Sequence, residues 1–350
     1  MKSRICIIAP PMSGRGGTES ALIEFTNILI RNKYEVNLLF PEDTQYNEWK
    51  NGFIQSDSLH FIVNKQYNKV GKSLFIAYNL FRIKPKLVVC MGPNMIRFVS
   101  KIKKYILGKI KIYSWVHFTL KNLQFINISH MKFADEHLVI SNGIKQQLID
   151  MNIPKERIHV IFNSVKHTEY SIESSRDTFL NLLYVGRITF EGQKNLKLGI
   201  DALSKVEIPW KLTVIGSGKD ERKIKEYIQA KNLPDNSINW LGWSDNPWLD
   251  VKKMDALLLT SNYEGFPMVL LEALSRGLPC ISANCETGPS DIIKNQVNGY
   301  LFEMNNSEDL KQKLEIFYPK KANFDRNVVK KSISTYYEEN YESKLIELLS

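Results

Sequence analysis

The chain has 350 residues, 43% of them apolar, and its 47 Lys and Arg against 37 Asp and Glu give a net charge of +10. So long a chain exceeds one comfortable core and predicts two domains, and no apolar run approaches the roughly 18 residues of a membrane span. Cys6, Cys90, Cys280 and Cys285 lie in or beside apolar runs without paired metal-ligand spacing, which predicts reduced thiols in a cytoplasmic protein and no zinc.

The run 4–9, RICIIA, is too short for a signal-peptide core and lacks a cleavage site, so it reads as a first strand. Pro10-Pro-Met-Ser-Gly14-Arg15-Gly16-Gly17-Thr18-Glu19 follows and opens a helix at 18–31. Glycines in such a loop let a backbone approach a ligand closely. Further strands are expected at 35–40, 86–91, 110–115, 137–140 and 158–162, with a helix at 144–151. The segment 94–107 predicts an amphipathic helix, with Met95, Phe98, Val99, Ile102 and Ile106 on one face and Arg97, Lys101 and Lys104 on another.

Charge is placed unevenly. Residues 1–170 hold 24 Lys and Arg against 12 Asp and Glu, while the remainder holds 23 against 25. From 58 to 134 there is no acidic residue, and 14 Lys and Arg fall there. A basic first half predicts an anionic partner. The chain shows no helix-turn-helix pattern, zinc-finger spacing or RNP-like strand, so no nucleic acid is expected. An anionic membrane surface is expected instead, where each basic residue contributes about 1 kcal/mol.

Polar residues 168–175 read as a linker, after which the alternation restarts with strands at 181–185, 211–215, 238–241, 255–259, 279–283 and 299–301. Alternating strands and helices predict an α/β fold of two Rossmann-like domains, with parallel sheets facing a central cleft. The expected boundaries are 1–168 and 176–325, followed by 326–350 with a helical stretch at 329–349.

The loops of the second half carry the chemistry. Arg187 leaves the end of strand 181–185 and Lys194 opens the next helix. Two cations there would neutralise a diphosphate and stabilise it as a leaving group without metal. Gly216, in Ile215-Gly-Ser-Gly218, ends another strand beside the expected nucleotide site. After the apolar strand 255–259 comes Glu264-Gly265-Phe266-Pro267-Met268, a helix start, with seven residues separating Glu264 from Glu272. The N–H groups of 265–268 at a helix N-terminus suit a phosphate, and the two carboxylates can accept from sugar or ribose hydroxyls.

The Glu264 to Glu272 segment resembles the E-x7-E signature of the retaining GT-B glycosyltransferases of family four. Val185 to Asn195, Leu241 to Trp248, Glu264 to Met268 and Cys280 to Asp291 are similar to the lipopolysaccharide 1,6-galactosyltransferases within it. The likeness is dense over 181–302 and sparse before 160. It implies a hexose, galactose from UDP-galactose, moved onto a lipid-linked or surface-glycan acceptor at the cytoplasmic membrane face, with no cofactor beyond the nucleotide-sugar substrate. It also implies that Arg187 and Lys194 hold the pyrophosphate, that Glu272 holds the ribose, and that Glu264 serves the donor sugar. His117, just past strand 110–115, matches the histidine beside the reacting sugar, and Gly16 and Gly17 would face the donor phosphates. The family further implies that the last helix crosses back onto the first domain. A UDP-glucose, UDP-N-acetylhexosamine or GDP-sugar donor, a GT-B sugar-nucleotide 2-epimerase and a non-catalytic membrane scaffold remain alternatives.

Overall fold

Short runs of Val, Ile and Leu bury both faces of the central strands, and polar Gly- or Asn-bearing turns separate them from amphipathic helices. The result is two wound α/β units. The computed structural model describes residues 3–14, 16–43, 47–64, 68–103, 105, 110–121, 127–231, 233–234 and 236–349. One compact unit comprises residues 1–164 and 339–350, the other 165–338.

In the first unit the order is β1 (Arg4–Ile8), α1 (Gly17–Arg31), β2 (Glu35–Phe40), β3 (Leu59–Val63), α2 (Lys69–Ile83), β4 (Leu87–Cys90), α3 (Pro93–Lys103), β5 (Lys111–Val116), β6 (Glu136–Val139), α4 (Asn142–Asp150) and β7 (Ile158–Val160). Among the described residues these strands form a parallel sheet in the order β3-β2-β1-β4-β5-β6-β7. The chain winds outward one way from β1 and the other way from β4, so the switch in direction lies between those two strands. Two elements go beyond the sequence expectation. β3 is a half-exposed edge strand, so its pattern lacks the continuous apolar run that marks its neighbours. α2 follows it and returns the chain to the centre of the sheet.

α3 forms where the amphipathic segment predicted it, but its buried line differs. Ile96 and Val99 are enclosed, whereas Met95, Phe98 and Ile102 are half-buried, because the helix packs on β5 and on the 3₁₀ segment Ile128–Phe133. Lys104 and Ile106 lie outside the described residues.

The second unit runs β8 (Leu180–Val185), α5 (Leu196–Leu203), β9 (Trp210–Ile215), α6 (Glu221–Ala230), β10 (Ile238–Gly242), β11 (Ala256–Leu259), α7 (Met268–Ser275), β12 (Cys280–Ala283), α8 (Pro289–Ile292), β13 (Gly299–Phe302), α9 (Ser307–Phe317) and α10 (Arg326–Lys331). Its parallel sheet has the order β10-β9-β8-β11-β12-β13 among the described residues, so the direction switches between β8 and β11. Asp255, fully buried just before β11, anchors the segment after residue 164. It accepts from the backbone N–H groups of Ser175 and Asn181, the hydroxyls of Ser174 and Ser175, and Lys321 Nζ at 3.0 Å.

The helix expected at 329–349 is interrupted. α10 ends at Lys331, a 3₁₀ turn spans Ser334–Tyr336, and α11 (Glu338–Leu349) starts afresh. The run Ser332-Ile-Ser-Thr is poor in helix formers. Tertiary bonds then hold the break open: Tyr336 donates its hydroxyl to the Asp291 carbonyl at 2.5 Å, and its own carbonyl accepts from Val165 N–H at 2.9 Å. α11 belongs to the first unit, where Tyr341 and Leu345 are buried and Glu342 pairs with Arg31 at 3.0 Å on α1.

Candidate active site

In wound sheets, ligands collect beyond the carboxyl ends of the strands, at the point where the winding reverses. In the second unit that point is flanked by the loop after β8, which carries Arg187 and Lys194, and the loop after β11, which carries Glu264. The two loops are tied together. Asn262 donates from its side chain to the Gly192 carbonyl at 2.6 Å and from its backbone to the Gln193 carbonyl at 2.8 Å. Asn195 donates to Asn262 Oδ1 at 2.9 Å, and Thr260 donates to the Lys194 carbonyl at 2.8 Å.

At the centre of this lacework Lys194 Nζ meets Glu264 Oε1 at 2.7 Å, with the two side chains 18% and 9% exposed. Ser261 donates its hydroxyl to the same oxygen at 2.7 Å. Both bonds therefore fall on Oε1, and Oε2 keeps its capacity to accept from a sugar hydroxyl. Behind the carboxylate, burial first and then the Glu264 charge push the Cys285 thiol up to about 12, and the same two causes raise the Tyr184 phenol. Both groups are neutral at pH 7. Tyr184 donates to the Arg187 carbonyl at 2.8 Å, fixing the backbone that presents the exposed Arg187 side chain.

α7 starts at Met268 with no side chain capping it among the described residues. An uncapped helix start leaves backbone donors and a partial positive charge on offer to an anion. Pro267 has no N–H, so of the four residues expected to supply donors only Gly265, Phe266 and Met268 can do so. The Phe266 ring is buried against Tyr336, at 5.5 Å between ring centres, so this side chain shapes the loop and faces the interior. Thr287 donates to the Glu264 carbonyl, and a Cβ at Gly288 would meet Pro267 Cδ at 2.7 Å and the Gly265 carbonyl at 2.9 Å. The segment 287–288 thus braces the loop from behind.

Glu272 sits just over one turn into α7, half-buried. Burial raises its carboxyl above the ordinary carboxylate range, outweighing a hydrogen bond from Trp248 and the nearby charges of Arg276 and Lys194. Trp248 Nε1 donates to Oε2 at 3.2 Å, and the Arg276 guanidinium lies 4.9 Å over the Trp248 ring. One carboxylate oxygen is oriented by the indole, and Oε1 is left to accept from a diol.

Gly216 lies where two loops meet. At φ +146°, a Cβ there would lie 1.9 Å from the Gly186 carbonyl oxygen, so its bare Cα lets the loops after β8 and β9 touch.

His117, Gly16 and Gly17 belong to the first unit. Gly16 and Gly17 head α1 in the loop after β1, beside that sheet's own switch point. Glu19, buried, folds back to accept from Gly14 N–H at 2.7 Å and Ser13 Oγ at 2.9 Å. A Cβ on Gly16 would meet Glu19 Oε2 at 2.8 Å, so the glycine makes room for that carboxylate. His117 follows β5 in edge contact with Trp115 at 4.3 Å, and Trp115 in turn lies on Phe25 of α1. Its Nε2 is enclosed without a hydrogen-bond partner among the described residues, and burial pushes the ring down to about 3. At pH 7 His117 is therefore a neutral imidazole.

Sequence reasoning missed Ser261, Thr287, Gly288 and the hold of Trp248 on Glu272. Trp248 stood in a quoted motif, yet its 24-residue separation from Glu272 gives no local sign of contact.

Comparison with known proteins agrees with this geometry. The family described as "Glycosyl transferases group 1" matches residues 167–333. A lipopolysaccharide 1,6-galactosyltransferase from Escherichia coli K12 is 33% identical, over 99% of this chain and 98% of its own. The apo form of the lipopolysaccharide outer core galactosyltransferase WaaB superposes with a TM-score of 0.87 at 29% identity, over 99% of both chains. Anabaena HepE in complex with UDP shares the fold, with a TM-score of 0.80 at 16% identity over 100% of this chain and 99% of its own. The two wound parallel sheets, the paired loops at their switch point and this similarity over the whole chain place the protein among the group 1 glycosyltransferases of GT-B fold.

Proposed function

We propose that the protein is a retaining, metal-independent hexosyltransferase that moves galactose from UDP-galactose onto a lipid-linked glycan, of the class of a lipopolysaccharide core, at the inner face of the cell membrane. The Lys194–Glu264 pair carries this assignment. A cation and a carboxylate, held together at the switch point beside an uncapped helix start, match the two ends of a nucleotide sugar. The relatives named as galactosyltransferases supply the choice of hexose and acceptor class.

In this mechanism Glu272 accepts from the ribose diol through Oε1, while the N–H groups of Gly265, Phe266 and Met268 receive a phosphate. Arg187 and Lys194 lie against the diphosphate, whose negative charge grows as the bond from its oxygen to the sugar C1 breaks. Fixed cations aimed at that growing charge stabilise the transition state more than the ground state. Glu264 Oε2 accepts a hydroxyl of the hexose. On the family resemblance alone we assign His117 to a neutral hydrogen bond with the sugar and Gly16 and Gly17 to the donor phosphates. The acceptor hydroxyl attacks C1 on the face that UDP leaves, and its proton passes to the departing phosphate oxygen, giving retention without an enzyme nucleophile.

Thermal unfolding with UDP, UDP-galactose, UDP-glucose, UDP-N-acetylglucosamine and GDP-mannose tests the donor, since a ligand specific to the folded state raises the midpoint. UDP and UDP-galactose should raise it most. Stabilisation by GDP-mannose alone would overturn the uridine assignment. The anomeric configuration of the product by NMR decides retention. Transfer should survive EDTA; activity lost to EDTA and restored by Mg²⁺ or Mn²⁺ would mean that metal holds the diphosphate.

A further inference from the structure

Helix α2 has an apolar side that its own fold does not cover. Ile76, Leu80 and Ile83 are buried on its inner side with Asn79. On the opposite side Val70, Leu74, Tyr78 and Phe81 are 70%, 65%, 66% and 42% exposed. Their spacing of four, four and three places them within about 80° of one another on the helix. A helix apolar on both sides is normally enclosed, and a continuous apolar patch on a surface marks a contact.

The charge around the stripe selects what covers it. α2 lies wholly within the interval 58–134, which has 14 Lys and Arg and no acidic residue. Arg82, Lys84 and Lys86 are exposed at its C-terminal end, next to Phe81. Across the helix, Lys72 pairs with Glu42. An apolar stripe with cations at its border is the pattern of a helix lying in the plane of an anionic lipid surface, apolar side chains among the upper acyl carbons and cations at the headgroups. α2 has 15 residues, and no described helix is long and apolar enough to cross a membrane. α3 is the poorer candidate: Ile96 and Val99 are buried, Arg97 lies 5.1 Å over the Phe133 ring, and Lys103 pairs with Asp135 at 2.7 Å.

We propose that α2 is the membrane-docking face of the protein: Val70, Leu74, Tyr78 and Phe81 enter an anionic bilayer in its plane, and Arg82, Lys84 and Lys86 hold its headgroups. The proposal rests on a lipid-linked acceptor and names the surface that brings the enzyme to it.

Flotation of the full chain with phosphatidylglycerol–phosphatidylethanolamine vesicles, against pure phosphatidylcholine, tests it. Wild type should float with the anionic vesicles only. L74S/F81S should bind at least about tenfold more weakly, given the apolar area withdrawn from lipid. R82S/K84S/K86S should bind more weakly and lose most of the salt dependence. The four native cysteines are buried, so a fluorophore on Leu74→Cys reports that position alone. Its emission should shift to the blue with anionic vesicles, whereas a label on Gln146→Cys, exposed on α4, should not shift.

Each variant should keep the UDP-induced rise in melting midpoint, which depends on the second unit. Absence of that rise in wild type would sink the donor assignment and leave the docking result standing by itself. Three outcomes overturn the docking proposal. The first is L74S/F81S floating as well as wild type, or an L74C label that does not respond. The second is a wild-type dimer that L74S/F81S dissolves without any vesicle binding, which makes the stripe an interface between copies. The third is a wild type that neither floats nor dimerises.

Discussion

Lys194→Met separates the structural from the chemical role of the central pair. At 2.7 Å and an effective dielectric near 20, the gross attraction between Lys194 and Glu264 is about 6 kcal/mol, most of it offset by taking both groups out of water. Removing one partner of a fully buried pair costs about 3–5 kcal/mol, because the other charge stays behind. Here Glu264 keeps its bond from Ser261, and Lys194 is 18% exposed, so a loss of about 2–3 kcal/mol is expected. For a unit of this size that lowers the melting midpoint by about 5–10 °C. Glu264→Gln in the same chain leaves no charge buried, so K194M/E264Q should recover at least about 1 kcal/mol of the loss. Activity should not recover with it: kcat should stay about 10²–10³-fold down in K194M and in the double variant, since the cation proposed to stabilise departing UDP is absent from both. The checks are urea unfolding at pH 7.5 and initial rates with UDP-galactose. If the two single losses simply add, the pair is not coupled. If the double variant regains activity, Lys194 serves only to neutralise Glu264.

The remaining predictions concern the groups around that pair. Glu272→Ala should raise KM for the donor with little change in kcat, because a ribose contact is made alike in ground and transition states; unchanged KM with collapsed kcat would contradict the ribose assignment. Burial raises the Glu272 carboxyl and only its ionised form accepts from both ribose hydroxyls, so UDP affinity should climb as pH rises from 4.5 through the raised value and then level off. Trp248→Phe, which removes an N–H donor to the ionised form, should move that climb to higher pH, as read by calorimetry across a pH series. Burial pushes the Asp255 carboxyl up, but bonds from Asn181, Ser174, Ser175 and Lys321 outweigh it, so the folded value lies below 3.8. The stability that Asp255 contributes is therefore present above 3.8 and lost as pH falls through the lower folded value; Asp255→Asn should destabilise at pH 7 and flatten the acid limb of a melting curve series. Gly216→Ala should cost about 3 kcal/mol and abolish the UDP-induced rise in midpoint, because its Cβ would strike the Gly186 carbonyl at 1.9 Å; wild-type melting with intact UDP response would refute the close approach of these loops.

Local pattern was enough for much of this protein. Strands buried on both faces read as apolar runs wherever they occur, so β1, β2, β4, β5, β8, β9, β11 and β12 were legible before any fold was known. The spacing of Glu264 and Glu272 across a helix start is equally local, and so are the two cations of the Arg187 to Lys194 loop. Contacts between residues far apart in the chain were not legible, because no periodicity encodes them. Only the folded unit put Lys194 and Ser261 on the same oxygen of Glu264, set Trp248 against Glu272, and pressed Gly216 onto Gly186. The break before α11 was decided in the same way, by Tyr336 bonding to Asp291 and Val165 in place of the next helical turn. α2 marks the limit most plainly. Its apolar residues on every side say that it must be covered, but which of them the protein itself covers depends on where the helix lands on its sheet, and that is settled by packing over the whole unit.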